Sequence, residues 1–220
     1  MPRAEASPDA AAPHGVDALL RPGFLTDTEC TELRAEMDRA PRREGSVRET
    51  EQPEADTVDR TGRSATECVL SDETTRNIEE RICRVAPQIA LHFSEEVAEY
   101  EVPHFVAYEP GGFYRPHRDI YPDVELPEPL VRRRLSLVVF LNDPSDKPDR
   151  GATESTGHYG GGVLCLSSHE GNDFDPRFAW EVPAERGLLV AFRAATWHEV
   201  TPVTTGKRYT VVAILLAPKH

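Results

Sequence analysis

His117 and Asp119 stand one residue apart, His198 follows eighty-one residues after the first histidine, and Arg208 comes ten residues later. Side chains alternate along a strand with period two, so a His-x-Asp pair on a strand directs an imidazole and a carboxylate to one face. A histidine from a distant strand completes a 2-His-1-carboxylate set. Such a set fills three corners of an octahedron and leaves three open, the geometry of an Fe(II) centre that admits both a substrate and dioxygen. Arg208 adds a planar guanidinium fork suited to the far carboxylate of a dicarboxylate. Zinc competes for a His/His/Asp set completed by water. A hydrolytic zinc site, however, has no use for a dicarboxylate anchor.

An isolated His-x-Asp is usually a surface histidine beside a solvated aspartate, so the surrounding text decides its weight. The pair lies in Tyr108-Glu-Pro-Gly111-Gly-Phe-Tyr114-Arg-Pro-His117-Arg-Asp119. The second half contains Gly187-Leu-Leu-Val-Ala-Phe192, then Trp197-His198-Glu-Val200-Thr-Pro-Val203, then Gly206-Lys-Arg208-Tyr-Thr210. These stretches resemble the Fe(II)/2-oxoglutarate-dependent dioxygenase superfamily, in its prolyl-4-hydroxylase-like branch. That branch carries a Tyr-x-x-Gly-x-x-Tyr-x-x-His-x-Asp block and a later His followed about ten residues on by a basic residue. The resemblance covers residues from about 100 to 217 together with Pro22-Gly-Phe-Leu25 before a helix near the start.

The resemblance implies an enzyme in which His117, Asp119 and His198 are the metal ligands and catalytic centre, with Fe(II), 2-oxoglutarate and O2 as cofactors and ascorbate as an accessory reductant. It implies hydroxylation of an unactivated C–H bond with release of succinate and CO2. Arg208 would hold the cosubstrate. Tyr108 resembles the family tyrosine that often assists it, and Thr210 shares the strand face of Arg208; for both, packing is an equal alternative. Tyr114 and Trp197 flank the ligands and are candidates for the substrate pocket, against aromatic packing. Arg115 has the parity of His117 and Asp119, with Pro116 in a position to break it. Two departures matter. Lysine stands at the Arg208 position in animal collagen-type prolyl hydroxylases, so prolyl specificity gains no support. Halogenases of the superfamily lack the carboxylate ligand, and Asp119 is intact.

The net charge is −13, and the first hundred residues carry 22 acidic against 12 basic side chains. So acidic a chain repels phosphate backbones, which points away from nucleic acid, and a compact single domain without a peptide-binding module favours a small-molecule substrate, an amino acid or a natural-product intermediate. A peptide prolyl hydroxylase is the nearest alternative. A non-catalytic β-barrel that binds 2-oxoglutarate or a metal is the alternative of another class. No stretch approaches the ~18 apolar residues of a membrane span, and Cys30, Cys68, Cys83 and Cys165 lack Cys-x-x-Cys spacing. A cytoplasmic location with reduced, packed thiols follows as the default. Arg132-Arg133-Arg134 reads as a solvated basic run. His14, His92, His104, His158, His169 and His220 lack metal spacing.

These residues need a scaffold. The predicted fold is α+β, mainly β: a double-stranded β-helix of the jelly-roll or cupin-like kind with two or three supporting N-terminal helices. Residues 1–15 form a disordered segment and 16–220 one domain, with helical support over 16–100 and the barrel over 101–217. Thr26 and Glu29 have capping-box spacing before a helix whose Cys30, Leu33 and Met37 share a face. A second helical pattern runs from Asp72 to Phe93, with Pro87 expected to kink or divide it. Eight strands are predicted near 102–109, 112–119, 134–142, 162–168, 178–182, 187–193, 197–203 and 207–217. Three polar segments, 42–59, 120–133 and 144–160, are candidate lids.

Overall fold

The computed structural model describes residues 15–44, 47–48, 56–57, 62–121, 125–145, 157–168 and 174–219. All but Gly15 of the segment expected to be disordered, most of the 42–59 and 144–160 segments, and His14, His169 and His220 lie outside the described residues. In chain order come β1 (Ala18–Arg21), α1 (Asp27–Arg39), β2 (Arg42–Glu44), β3 (Val47–Arg48), β4 (Asp56–Thr57), β5 (Arg63–Ser64) and β6 (Thr66–Cys68). Helix α2 (Asp72–Phe93) and β7 (Glu99–Tyr100), β8 (His104–Tyr108), β9 (Phe113–His117) and β10 (Arg133–Phe140) follow. The chain ends with β11 (Tyr159–Gly161), β12 (Leu164–Ser167), β13 (Ala179–Glu181), β14 (Leu189–Arg193), β15 (Trp197–Val200), β16 (Val203–Gly206) and β17 (Arg208–Leu216).

Two antiparallel sheets face each other. The larger has the order β1-β14-β10-β17-β8-β6-β2 with β7 beside β17, and the smaller β13-β12-β15-β9-β5. Alternation assigns each large-sheet strand two faces. Leu135, Leu137 and Val139 of β10 pack with Val211, Ala213 and Leu215 of β17 against the helices. Val138 and Phe140 point the other way, toward Leu164, Leu166 and Val200 of the smaller sheet. This is the double-stranded β-helix in open form. Among the described residues no ladder closes the two sheets into a barrel, although β5 pairs with β9 and β6 with β8, so residues 63–68 strap one side.

The helices form where their caps and apolar stripes place them. Thr26 and Glu29 make the reciprocal capping box, and Cys30, Leu33 and Met37 are the buried face of α1. Ile78, Ile82, Val85, Ile89 and Phe93 bury α2 against the sheet. Pro87 does not divide this helix. The lost N–H bond is outweighed by packing on both sides of it.

Three expectations need correction. The 16–100 region is not only helical, because β1, β2 and β6 extend the large sheet within it. The charged stretch after Pro41 begins as strand β2, paired with β6, rather than as a loop. The run expected as one strand over 197–203 is two, β15 and β16, and β16 pairs with β11 at the end of the segment taken for a loop. Pro202 explains the break: it has no N–H to offer a ladder.

Candidate metal and cosubstrate site

β9 and β15 are neighbours, and their register sets His117 opposite His198. The ladder slips between this pair and the next, Val200 opposite Tyr114, so three residues of β9 span two of β15. Pro116 lies in the slip. Consequently Tyr114 and His117 come to one side and their rings stack, centroids 3.5 Å apart at 20°. Arg115 turns outward and is exposed, in place of the cavity position that regular alternation assigned to it.

His117 and His198 each have Nδ1 on a backbone carbonyl, that of Arg115 at 2.8 Å and that of Thr196 at 3.0 Å. A carbonyl only accepts, so Nδ1 carries the proton in both rings and each Nε2 lone pair is free for a metal. Nε2 of His117 is 4.0 Å from Oδ1 of Asp119, and Nε2 of His198 is 3.7 Å from Oδ2. Among the described residues these three are the group whose ligand atoms converge, all within 4.8 Å of one another. Burial, then the neighbouring His198, pushes the His117 imidazole well below its ordinary value, so the ring is held neutral. Burial pushes the Asp119 carboxyl up, but the two imidazoles, Arg133 and the Ser136 hydroxyl outweigh it and hold the group below its usual range. Two imidazoles with Nδ1 tied to carbonyls and an ionised carboxylate fit a divalent metal.

The same cavity, of about 300 Å³, reaches Arg208, Thr210 and Tyr108. On β17 the residues Arg208, Thr210, Val212 and Ile214 share its wall. The Arg208 guanidinium lies over the rings of Tyr108 and Phe140, 5.2 Å from each centroid. Arg208 is 1% exposed, and its Nε and Nη2 have no hydrogen-bond partner, while Tyr159 shares a side-chain hydrogen bond with it. A buried cation with idle donors is a strong demand for an anion. The distal carboxylate of 2-oxoglutarate would meet it. Gly162 makes the seat possible: its φ is +59°, and a Cβ there would stand 2.9 Å from Cδ of Arg208.

Thr210 is buried in the wall, its hydroxyl 3.5 Å from the Val106 carbonyl. Tyr108 pairs with Arg208 across β8 and β17 and is buried under it. Tyr114 lines the cavity, whereas Trp197 sits outside the wall and stacks on Arg118, which does line it, at 4.8 Å. Several cavity residues escaped the sequence. Arg63 lies over Tyr114 at 4.7 Å, and Arg118, Glu67, Glu101, Arg133 and Ser136 also face the space. Arg132 and Arg133 are not a solvated run: Arg132 is 6% exposed, and Arg133 makes two 2.7 Å bonds to Glu101. The missed signal was Ser136, a lone polar residue in the apolar run Leu135–Leu141.

A facing pair of antiparallel sheets with a His/Asp/His set between them and a buried arginine with two idle donors in the same cavity is the arrangement an iron- and 2-oxoglutarate-dependent oxygenase would require. Residues 103–215 match the profile of the 2OG-Fe(II) oxygenase superfamily, and the chain belongs to it. It is 34% identical over 106 residues to a PKHD-type hydroxylase of Synechococcus sp. (strain JA-2-3B'a(2-13)), covering 48% of this chain and 38% of that one. A PKHD-type hydroxylase of Nitrobacter winogradskyi is 30% identical over 143 residues, 63% and 52% of the two chains. The chain thus spans about half or less of the length of these relatives. In fold it is similar to a Pseudomonas putida prolyl-4-hydroxylase, with TM-score 0.64, 22% identity and coverage of 93% and 94%. A Trichoplax adhaerens prolyl hydroxylase in complex with a hypoxia inducible factor peptide fragment gives TM-score 0.66 at 15% identity, covering 91% and 83%.

Proposed function

We propose that this domain hydroxylates an unactivated C–H bond of a small molecule, an amino acid or a natural-product intermediate, consuming 2-oxoglutarate and O2 and releasing succinate and CO2. The observation that carries the reaction class is the buried Arg208 guanidinium, with Nε and Nη2 unpartnered, in one cavity with His117, Asp119 and His198. Fe(II) and 2-oxoglutarate, once bound, supply the oxidising power.

The chain's own residues do the rest. The Nδ1 bonds fix both imidazoles so that Nε2 faces the metal position. Arg208 takes the distal carboxylate, and the Tyr108 and Phe140 rings against it exclude water, which strengthens the charge pairing. Val106, Val138, Leu164 and Phe192 keep the centre apolar. The Tyr114 ring braces His117. Ascorbate belongs to the proposal only as a reductant that keeps the iron ferrous.

Two features support a small substrate. A cavity of about 300 Å³ is at the lower end for ligand sites, and the cosubstrate takes part of it. Its wall also bears Arg63 and Arg118, cations suited to the carboxylate of a small molecule, while Glu67 and Glu101 on the same wall are engaged by His104 and Arg43 and by Arg133. The second reading, a peptide prolyl hydroxylase, is supported by the fold likeness to the two prolyl hydroxylases. Incubating the purified protein with Fe(II), 2-oxoglutarate and pools of metabolites or peptides, and searching by mass spectrometry for the gain of one oxygen, separates the two. A metabolite hit that disappears in His117→Ala is the expected result; a hit among peptides alone overturns the small-molecule reading.

A further inference from the structure

His117 and His198 lie within strands β9 and β15, but Asp119 falls beyond the end of β9, where no ladder fixes it. Its position is set from elsewhere. The Asp119 backbone N–H donates to the Ala194 carbonyl at 2.9 Å. The Asp119 carbonyl accepts from Nη1 of Arg133 at 3.0 Å, and its Oδ2 accepts from the Ser136 hydroxyl at 2.5 Å. Both partners come from β10, an interior strand of the large sheet. Arg133 is itself locked, its Nε and Nη2 each 2.7 Å from a Glu101 carboxylate oxygen. Ser136 is 1% exposed in a strand otherwise apolar from Leu135 to Phe140, and its hydroxyl has the Asp119 carboxylate as its partner. A hydroxyl in such a place incurs a desolvation penalty unless that bond is made.

We propose that Ser136 and Arg133 are positioning residues that hold Asp119 as a one-oxygen metal ligand. The inference rests on the metal-site reading above. A carboxylate free to turn about its Cβ–Cγ bond can offer both oxygens to a cation and take up a fourth coordination position. Three positions must stay open for the keto-acid pair and O2. The Ser136 hydroxyl on Oδ2 resists that rotation, and Arg133 on the main-chain carbonyl fixes the peptide from which the carboxylate hangs. The Glu101 fork transmits the rigidity of β10 to a ligand that has no strand of its own.

Anaerobic titration with Co(II), followed by the visible ligand-field bands, tests this without turnover. Wild type, Ser136→Ala, Ser136→Thr, Arg133→Lys and His198→Ala are compared, with the melting temperature of each metal-free protein as a control for folding. Loss of an outer partner of a ligand lowers metal affinity about ten- to a hundredfold. Ser136→Ala is expected to show that loss with altered band intensities and unchanged metal-free melting. Ser136→Thr, which keeps the hydroxyl and has cavity space for its methyl, is expected to restore both. Arg133→Lys, unable to fork between Glu101 and the Asp119 carbonyl, is expected to bind more weakly than wild type. Wild-type affinity and bands in Ser136→Ala overturn the proposal. A loss that threonine does not restore, or that tracks a lower metal-free melting temperature, overturns it too. If wild type binds Co(II) no better than His198→Ala, the metal reading itself fails and takes this inference with it.

Discussion

Arg208 is the residue on which the cosubstrate assignment turns. A charge-assisted fork to a carboxylate contributes roughly 1.5–3 kcal/mol, so Arg208→Ala should raise the KM for 2-oxoglutarate about ten- to a hundredfold. Metal affinity should be unaffected, since Arg208 is not in the converging ligand group. Arg208→Lys should be milder, keeping the charge and losing the fork. Gly162→Ala tests the seat rather than the charge. Its Cβ would collide with Cδ of Arg208 and Cγ2 of Val203, both at 2.9 Å, at a φ that L side chains rarely adopt. The KM for 2-oxoglutarate should rise severalfold with kcat nearly unchanged; an unchanged KM would show that the arginine has room to move. At this scale the sequence was most readable where residue type alone carries chemistry. His117, Asp119, His198 and Arg208 announce themselves by donor type and spacing. Arg63, Arg133 and Ser136 do not, because what makes them part of the site is a partner contributed by another strand.

At the scale of elements, the site depends on a slipped ladder and on a sheet backed by helices. Regular alternation predicted Arg115 in the cavity. The slip at Pro116 put Tyr114 there instead, and no periodicity rule contains a bulge. The strands of the second half were readable because β-branched and aromatic runs are separated by Gly, Pro and Asp. The strap at 63–68 was not, since its two short strands are largely polar and each pairs with partners more than twenty residues away. Helix α2 carries the rigidity of the large sheet, and Ile82 on its buried face is 1% exposed. Ile82→Ala should therefore lower unfolding free energy by about 2–5 kcal/mol, measured by urea denaturation. A loss below about 1 kcal/mol would mean that α2 is not packed on the sheet as described.

For the whole molecule, the acidity legible in the composition has a local exception that affects stability. Glu67 joins three strands: its carboxylate accepts from Nδ1 of His104 at 2.6 Å and from Arg43 at 2.7 Å. Burial pushes the Glu67 carboxyl up, but the bonds and charges of His104 and Arg43 outweigh it and bring it to about 2, from an ordinary 4.5. A folded-state value below the unfolded one gives stability that is present above about pH 4.5 and lost as the pH falls toward 2. Urea midpoints should thus fall between pH 5 and pH 3, and Glu67→Gln should fall less steeply over the same interval; equal slopes would remove Glu67 from the account.

The central claim concerns the cavity as a unit: the His117, Asp119 and His198 set together with Arg208 makes a 2-oxoglutarate-dependent iron centre. The most direct test is succinate formation by the purified protein given Fe(II), 2-oxoglutarate and oxygen, with bound metal measured in the same sample. Wild type should bind iron and convert 2-oxoglutarate to succinate, slowly even without its C–H substrate, and Asp119→Ala should do neither. Protein isolated with zinc that forms no succinate with any pool of substrates, or an Asp119→Ala variant as active as wild type, would contradict it.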